Sequence, residues 1–108
     1  MTDLSHLFQA LAAGERVNER DFDLIFPKEA RKFSRAHWTP LAAAVRAAAL
    51  LVDKPGAKIL DVGSGAGKVC VAGVLTTQGH FTGIELDEEL VGIAKDLAKT
   101  YKLPRLKF

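Results

Sequence analysis

The sequence is poor in several residue types: one cysteine, one tryptophan, one tyrosine, one methionine and four prolines in 108 residues. A single thiol, Cys70, can close no internal disulfide, so the fold must rest on its own core, as in a reducing compartment. Long hydrophobic runs are also missing. The most apolar segment, 41–52, is interrupted by Arg46 and is too short to span a bilayer. The opening MTDLSHLFQALAAG has neither a basic leader nor a cleavage-site pattern, so a cytoplasmic location with no membrane partner is expected. Neither sign of charge dominates: 15 basic against 13 acidic residues leave +2, too little for a nucleic-acid surface. His6, His37 and His80 are scattered without ligand spacing, and no metal site is expected.

What remains is a globular composition, 48% hydrophobic and 26% charged, with enough chain for one modest domain. Glycine usage divides it. Gly14 is alone in residues 1–53, whereas Gly63, Gly65, Gly67, Gly73, Gly79 and Gly83 crowd together later. We expect an N-terminal helical segment over 1–53 and an α/β unit over 54–108. In the first, Leu4, Leu7, Phe8 and Leu11 recur at helical spacing over 3–13, with Gly14 as the stop. A second helical piece starts at Asn18 and carries Phe22, Ile25 and Phe26 up to Pro27, and 28–33 forms another turn or two. Thr39 and Pro40 open an Ala-rich helix to about 52, with the Thr hydroxyl as cap and Pro at the first helical position.

The period then changes. Residues 57–62 are short, apolar and bounded by Pro55-Gly56 and Gly63, which predicts a buried parallel strand. A helix over 68–77, a strand over 80–85, a helix over 87–101 and the start of a third strand over 105–108 follow, with Asp87 as a helix cap. Strand, helix, strand, helix, strand predicts a doubly wound, Rossmann-like parallel sheet of two to three strands, preceded by the helical cap.

The junction ILDVGSGAGK carries the chemistry. A phosphate-binding P-loop needs a glycine where Val62 stands and Ser or Thr where Val69 stands. A dinucleotide fingerprint needs its third glycine one residue later, where Lys68 stands, so that reading is weakened. Asp61 would repel a phosphate but suits a nucleoside ligand with cationic groups, and S-adenosylmethionine has both a sulfonium and an ammonium. Glycines let the backbone approach such a ligand. At the end of the second strand, Glu85 is placed to accept hydrogen bonds from ribose hydroxyls.

With ILDVGSGAGK and FTGIELDEEL in this order, the sequence resembles the class I, Rossmann-like S-adenosylmethionine-dependent methyltransferases over about 57–108. The resemblance implies S-adenosylmethionine as cofactor, with Asp61, Gly63, Ser64, Gly65 and Gly67 on the methionine side, Glu85 on the ribose and Leu86 near the adenine. His37-Trp38-Thr39-Pro40 is similar to a segment that runs beside the cofactor in some members. A fainter similarity is to lysine methyltransferases of the nucleosome core, so a protein lysine or a small molecule is the expected acceptor; catalytic residues are not assigned. Members continue through further strands, so the chain is expected to be the N-terminal part of such a domain, inactive alone, with open sheet edges that favour self-association. The alternatives are a non-catalytic nucleoside-binding or assembly module and an NAD-dependent oxidoreductase.

Other features have plainer readings. Cys70, between Val69 and Val71, reads as a buried structural thiol, and Trp38 as a hydrophobic staple. Lys28, Arg31, Lys32 and Arg35 read as a solvated basic face.

Overall fold

A computed structural model describes residues 4–32 and 37–108. Asp3, Phe33 and Arg35, which the sequence places in the first helix, the third helical piece and the basic stripe, lie outside the described residues. The chain runs α1 (Ser5–Ala12), α2 (Glu19–Asp23), α3 (Lys28–Arg31), α4 (Leu41–Leu51), β1 (Lys58–Val62), α5 (Lys68–Thr76), β2 (His80–Ile84), α6 (Glu88–Thr100) and β3 (Leu106–Lys107). The strands form one parallel sheet in the order β1-β2-β3, with Lys58 opposite His80 and Phe81 opposite Leu106. This is the expected Rossmann-like α/β arrangement behind an N-terminal helical cap.

Local chemistry sets the helix ends. Asn18 Oδ1 accepts from the N–H groups of Arg20 and Asp21 at the start of α2, and Asp87 Oδ1 does the same for Glu89 and Leu90 at the start of α6. Two helices end in the same reverse turn with different residues. After α1, Gly14 N–H bonds Leu11 O and Glu15 N–H bonds Ala10 O, with Gly14 at φ +80°. After α6, Lys102 N–H bonds Lys99 O and Leu103 N–H bonds Ala98 O, but here the left-handed residue is Lys102 at φ +51°. The start of α4 differs from the expectation. Pro40 occupies the cap position with no side-chain cap, and the amide of Leu41 donates to Glu19 Oε2 at 2.6 Å. A carboxylate from α2 has taken the part that sequence reasoning gave to Thr39.

One core joins the helical segment to the sheet layer: Phe8, Leu11, Phe22, Phe26 and Leu41 pack with Val71, Ala72 and Leu97. Beneath it Phe81 fills the groove left by Gly73, where a Cβ would come within 2.3 Å of the ring. Arg105 fastens the third strand to the end of α5, donating to the carbonyls of Val74, Thr77 and Gly79.

The strand expected to be buried, β1, is covered on one face only and there only in part, with Ile59 and Asp61 half-buried. Phe81 and Gly83 face the helices, whereas Leu60 (57% exposed), Val62 (75%) and Ile84 (50%) lie on the opposite face. An apolar run predicts two-sided burial from composition alone, but among the described residues the helices supply a single layer.

Candidate functional site

The loop between β1 and α5 is held from both sides. The N–H groups of Gly63 and Ser64 both donate to the carbonyl of Ile84, at 2.8 and 3.0 Å, so the loop is clamped to the end of β2. Gly63, Gly65 and Gly67 take φ of +76°, +58° and +94°. That conformation is free for glycine and strained for any side chain. The three glycines then divide. A Cβ on Gly63 or Gly65 would meet nothing within 4 Å, whereas one on Gly67 would lie 2.6 Å from the Phe108 ring. The first two leave space outside the loop, and the third lets the start of α5 close onto the core.

That space is a narrow cleft of about 90 Å³ lined by His37, Trp38 and Thr39 on one side and Asp61, Gly63, Ser64 and Gly65 on the other. Of the segment His37-Trp38-Thr39-Pro40, the first three residues lie beside the loop, whereas Pro40 does not line this cleft. The cleft is much smaller than the roughly 300–1,000 Å³ of sites that enclose a whole small molecule. Leu86, just beyond the end of the central strand β2, is 97% exposed. A roomier cleft of about 840 Å³ lies on the far side of Trp38, between α2 and Pro40, away from the glycine loop.

Asp61 is half-buried, and Cys70 Sγ lies 3.7 Å from its Oδ2. Burial raises its pKa above the ordinary value, and the thiol hydrogen bond offsets part of that. Burial, with the Asp61 carboxylate beside it, pushes the Cys70 thiol up to about 12. Cys70 is therefore an inert donor that orients Asp61, consistent with its reading as a buried structural residue.

Glu85 is brought to the loop more directly than a spacing argument could show. Its Oε1 accepts from Gly65 N–H at 2.8 Å and its Oε2 from Asp87 N–H at 3.0 Å. The Asp87 amide first, then that of Gly65, lower its pKa, against a smaller opposing effect of burial. Each oxygen keeps a further lone pair for a ligand hydroxyl. Of the other expected residues, Ser64 lines the cleft but its hydroxyl is buried against Gly83, without a hydrogen-bond partner. Gly67 faces inward, and Leu86 stands free beside Glu85.

Sequence reasoning missed one cluster. Lys68, the residue after the last loop glycine, is only 4% exposed, and its ammonium lies 2.5 Å from Glu19 Oε1, 2.7 Å from Asp23 Oδ1 and 5.8 Å from the centre of the Trp38 ring. The available signal was a lysine in the first turn of a helix, where the helix dipole disfavours a cation. Among the described residues no group of histidine, cysteine and acidic side chains is arranged to hold a metal, and no helix is long and apolar enough to cross a membrane.

Residues 34–108 match the protein-L-isoaspartate(D-aspartate) O-methyltransferase (PCMT) family. No curated protein matches the chain. Among solved structures, a SAM-dependent methyltransferase from Thiobacillus denitrificans, in complex with S-adenosyl-L-homocysteine, is 30% identical over 76% of this chain, with a TM-score of 0.51. The [4+2]-cyclase SpnF is 25% identical over 97% of the chain, with a TM-score of 0.53. YjhP from E. coli, 22% identical over 94% of the chain with a TM-score of 0.51, shares the fold. The chain spans 35%, 38% and 35% of the lengths of these three proteins, respectively.

Proposed function

The chain belongs to the protein-L-isoaspartate(D-aspartate) O-methyltransferase family, and from that premise we propose that it is the cofactor-binding portion of an S-adenosylmethionine-dependent methyltransferase. The observation that carries this reading is the pairing of Asp61 with the open sides of Gly63 and Gly65 in one cleft. A carboxylate at the mouth of a glycine loop favours a cationic ligand and opposes the pyrophosphate of a dinucleotide. The Thiobacillus denitrificans protein, which binds S-adenosyl-L-homocysteine, supports the same choice.

When bound, S-adenosylmethionine supplies a methyl group activated by its sulfonium. The residues of this chain hold and orient it. Asp61 offers counter-charge to the ligand's ammonium, and the amides and open faces of the glycine loop admit its methionine end. Glu85 accepts from the ribose hydroxyls with the lone pairs left by Gly65 and Asp87. Trp38 and Thr39 cover the cleft and exclude water. Methyl transfer needs chiefly alignment of acceptor and donor, so a site rich in positioning groups suits it.

The acceptor is a nucleophile on a protein or a small molecule. The region matching the family includes both the glycine loop and Glu85, and the likeness to a cyclase is a reminder that one fold carries several reactions. Calorimetry on the full chain tests the cofactor: S-adenosylhomocysteine should bind and NAD should not. Tighter binding of NAD than of S-adenosylhomocysteine would overturn the assignment.

A further inference from the structure

Lys68 breaks a local rule. It opens α5 behind Gly67, which offers no side-chain cap, and places an ammonium at the positive end of the helix dipole. It is also buried, and a lone buried ammonium is among the least tolerable groups in a protein interior. Residues that violate local preference are retained where the tertiary arrangement uses them.

The use is visible in its partners. Glu19 and Asp23 lie at either end of α2, so one cation grips the whole short helix. Glu19 uses its other oxygen to take the amide of Leu41 at the start of α4. One carboxylate therefore ties α2, α4 and α5 together. The chain just before Leu41 carries Trp38 and Thr39, which form the outer wall of the cofactor cleft. Trp38 is wedged between Lys68 and Phe26, its ring 4.7 Å from that of Phe26 and edge-on to it.

We propose that Lys68 is a positioning residue for the cofactor: through Glu19 and Asp23 it seats the helical cap so that Trp38 and Thr39 close over Asp61 and Gly65. The ammonium that follows the glycine loop thus acts on the protein's own carboxylates, and cap docking and cofactor binding become one coupled equilibrium. This deepens the methyltransferase reading and rests on it for the identity of the ligand.

Two measurements on the full chain separate the two ideas. Trp38 is the sole tryptophan, so its emission and its quenching by acrylamide report cap seating with no ligand present. Lys68→Met should leave Trp38 more accessible and raise the Kd for S-adenosylhomocysteine by roughly 5- to 150-fold, the usual range of such coupling. Lys68→Arg, which can reach both carboxylates, should restore most of both. Because Lys68→Met leaves two carboxylates facing each other, Glu19→Gln serves as the milder variant. It keeps an acceptor for Leu41 N–H and loses the ion pair, and it should move both readouts in the same direction. Unchanged Trp38 accessibility in Lys68→Met and Glu19→Gln overturns the proposal whatever the ligand. So does a loosened Trp38 with unchanged Kd. Failure of the wild type to bind S-adenosylhomocysteine at all would instead sink the methyltransferase reading, leaving Trp38 accessibility to decide the seating of the cap.

Discussion

Replacing Gly65 by valine separates the cost of a strained backbone from the cost of a filled cleft. Gly65 sits at φ +58°, and a Cβ there has nothing within 4 Å. An L-residue in that conformation costs about 1–2 kcal/mol, and a β-branched one is worse. Against a typical domain stability of about 5–15 kcal/mol, the variant should still fold, with its melting temperature lowered by several degrees. Its two methyl groups, however, project toward a cleft of about 90 Å³ in which the ligand's end must sit. Binding of S-adenosylhomocysteine should fall at least about a hundredfold, or about 2.7 kcal/mol. Gly65→Ala, with the same backbone strain and one carbon, should give a similar melting temperature and a smaller binding loss. Gly67→Ala is the control: its Cβ would lie 2.6 Å from Phe108 at φ +94°, so stability should fail before binding can be measured. Melting curves and calorimetry on the full chain give both quantities. A folded Gly65→Val chain that binds normally would mean that the loop does not face the ligand.

Three further outcomes follow from particular contacts. Glu85→Ala should weaken S-adenosylhomocysteine binding by about 1.5–3 kcal/mol, the worth of hydrogen bonds to a charged group, and should also loosen the glycine loop because Gly65 N–H loses its acceptor; unchanged affinity would reduce Glu85 to a loop fastener. Acidification should act on the two acids differently. Asp61 has a raised pKa, so its carboxylate, and with it affinity for the cationic cofactor, is lost as pH falls through a value above 3.8, whereas Glu85 has a lowered pKa and its contribution to stability, complete above 4.5, is lost only as pH falls below that. Titration calorimetry between about pH 7 and 4 should show wild-type affinity falling and Asp61→Asn affinity, weaker throughout, staying flat, and a flat wild-type profile would refute the role of Asp61. Lys102→Gly should stabilise the fold by about 0.5–1 kcal/mol by relieving the left-handed φ of +51° in the turn after α6, as Gly14 does after α1; a lower melting temperature would show that the lysine side chain contributes more than its strain costs.

The sequence alone determined the order of the elements, because its apolar period changes from helical in 41–52 to strand-like in 57–62 and the punctuation at Asn18, Gly14 and Asp87 is chemical and local. It also determined what the loop is not, since Val62 and Val69 stand where a P-loop needs its first glycine and its Ser or Thr. It did not determine which glycine faces a ligand and which faces the core: Gly65 and Gly67 look alike until Phe108 and Ala94 are folded beneath the second. The one-sided burial of β1 was likewise out of reach, because an apolar strand reads the same whether one helical layer covers it or two. Above all, the ion cluster of Glu19, Asp23 and Lys68 joins residues far apart in sequence, each unremarkable where it stands. Local chemistry acts over one helical turn and can be read in order along the chain, whereas the closing of the cap over the cleft depends on groups that only the tertiary fold brings within 3 Å of one another.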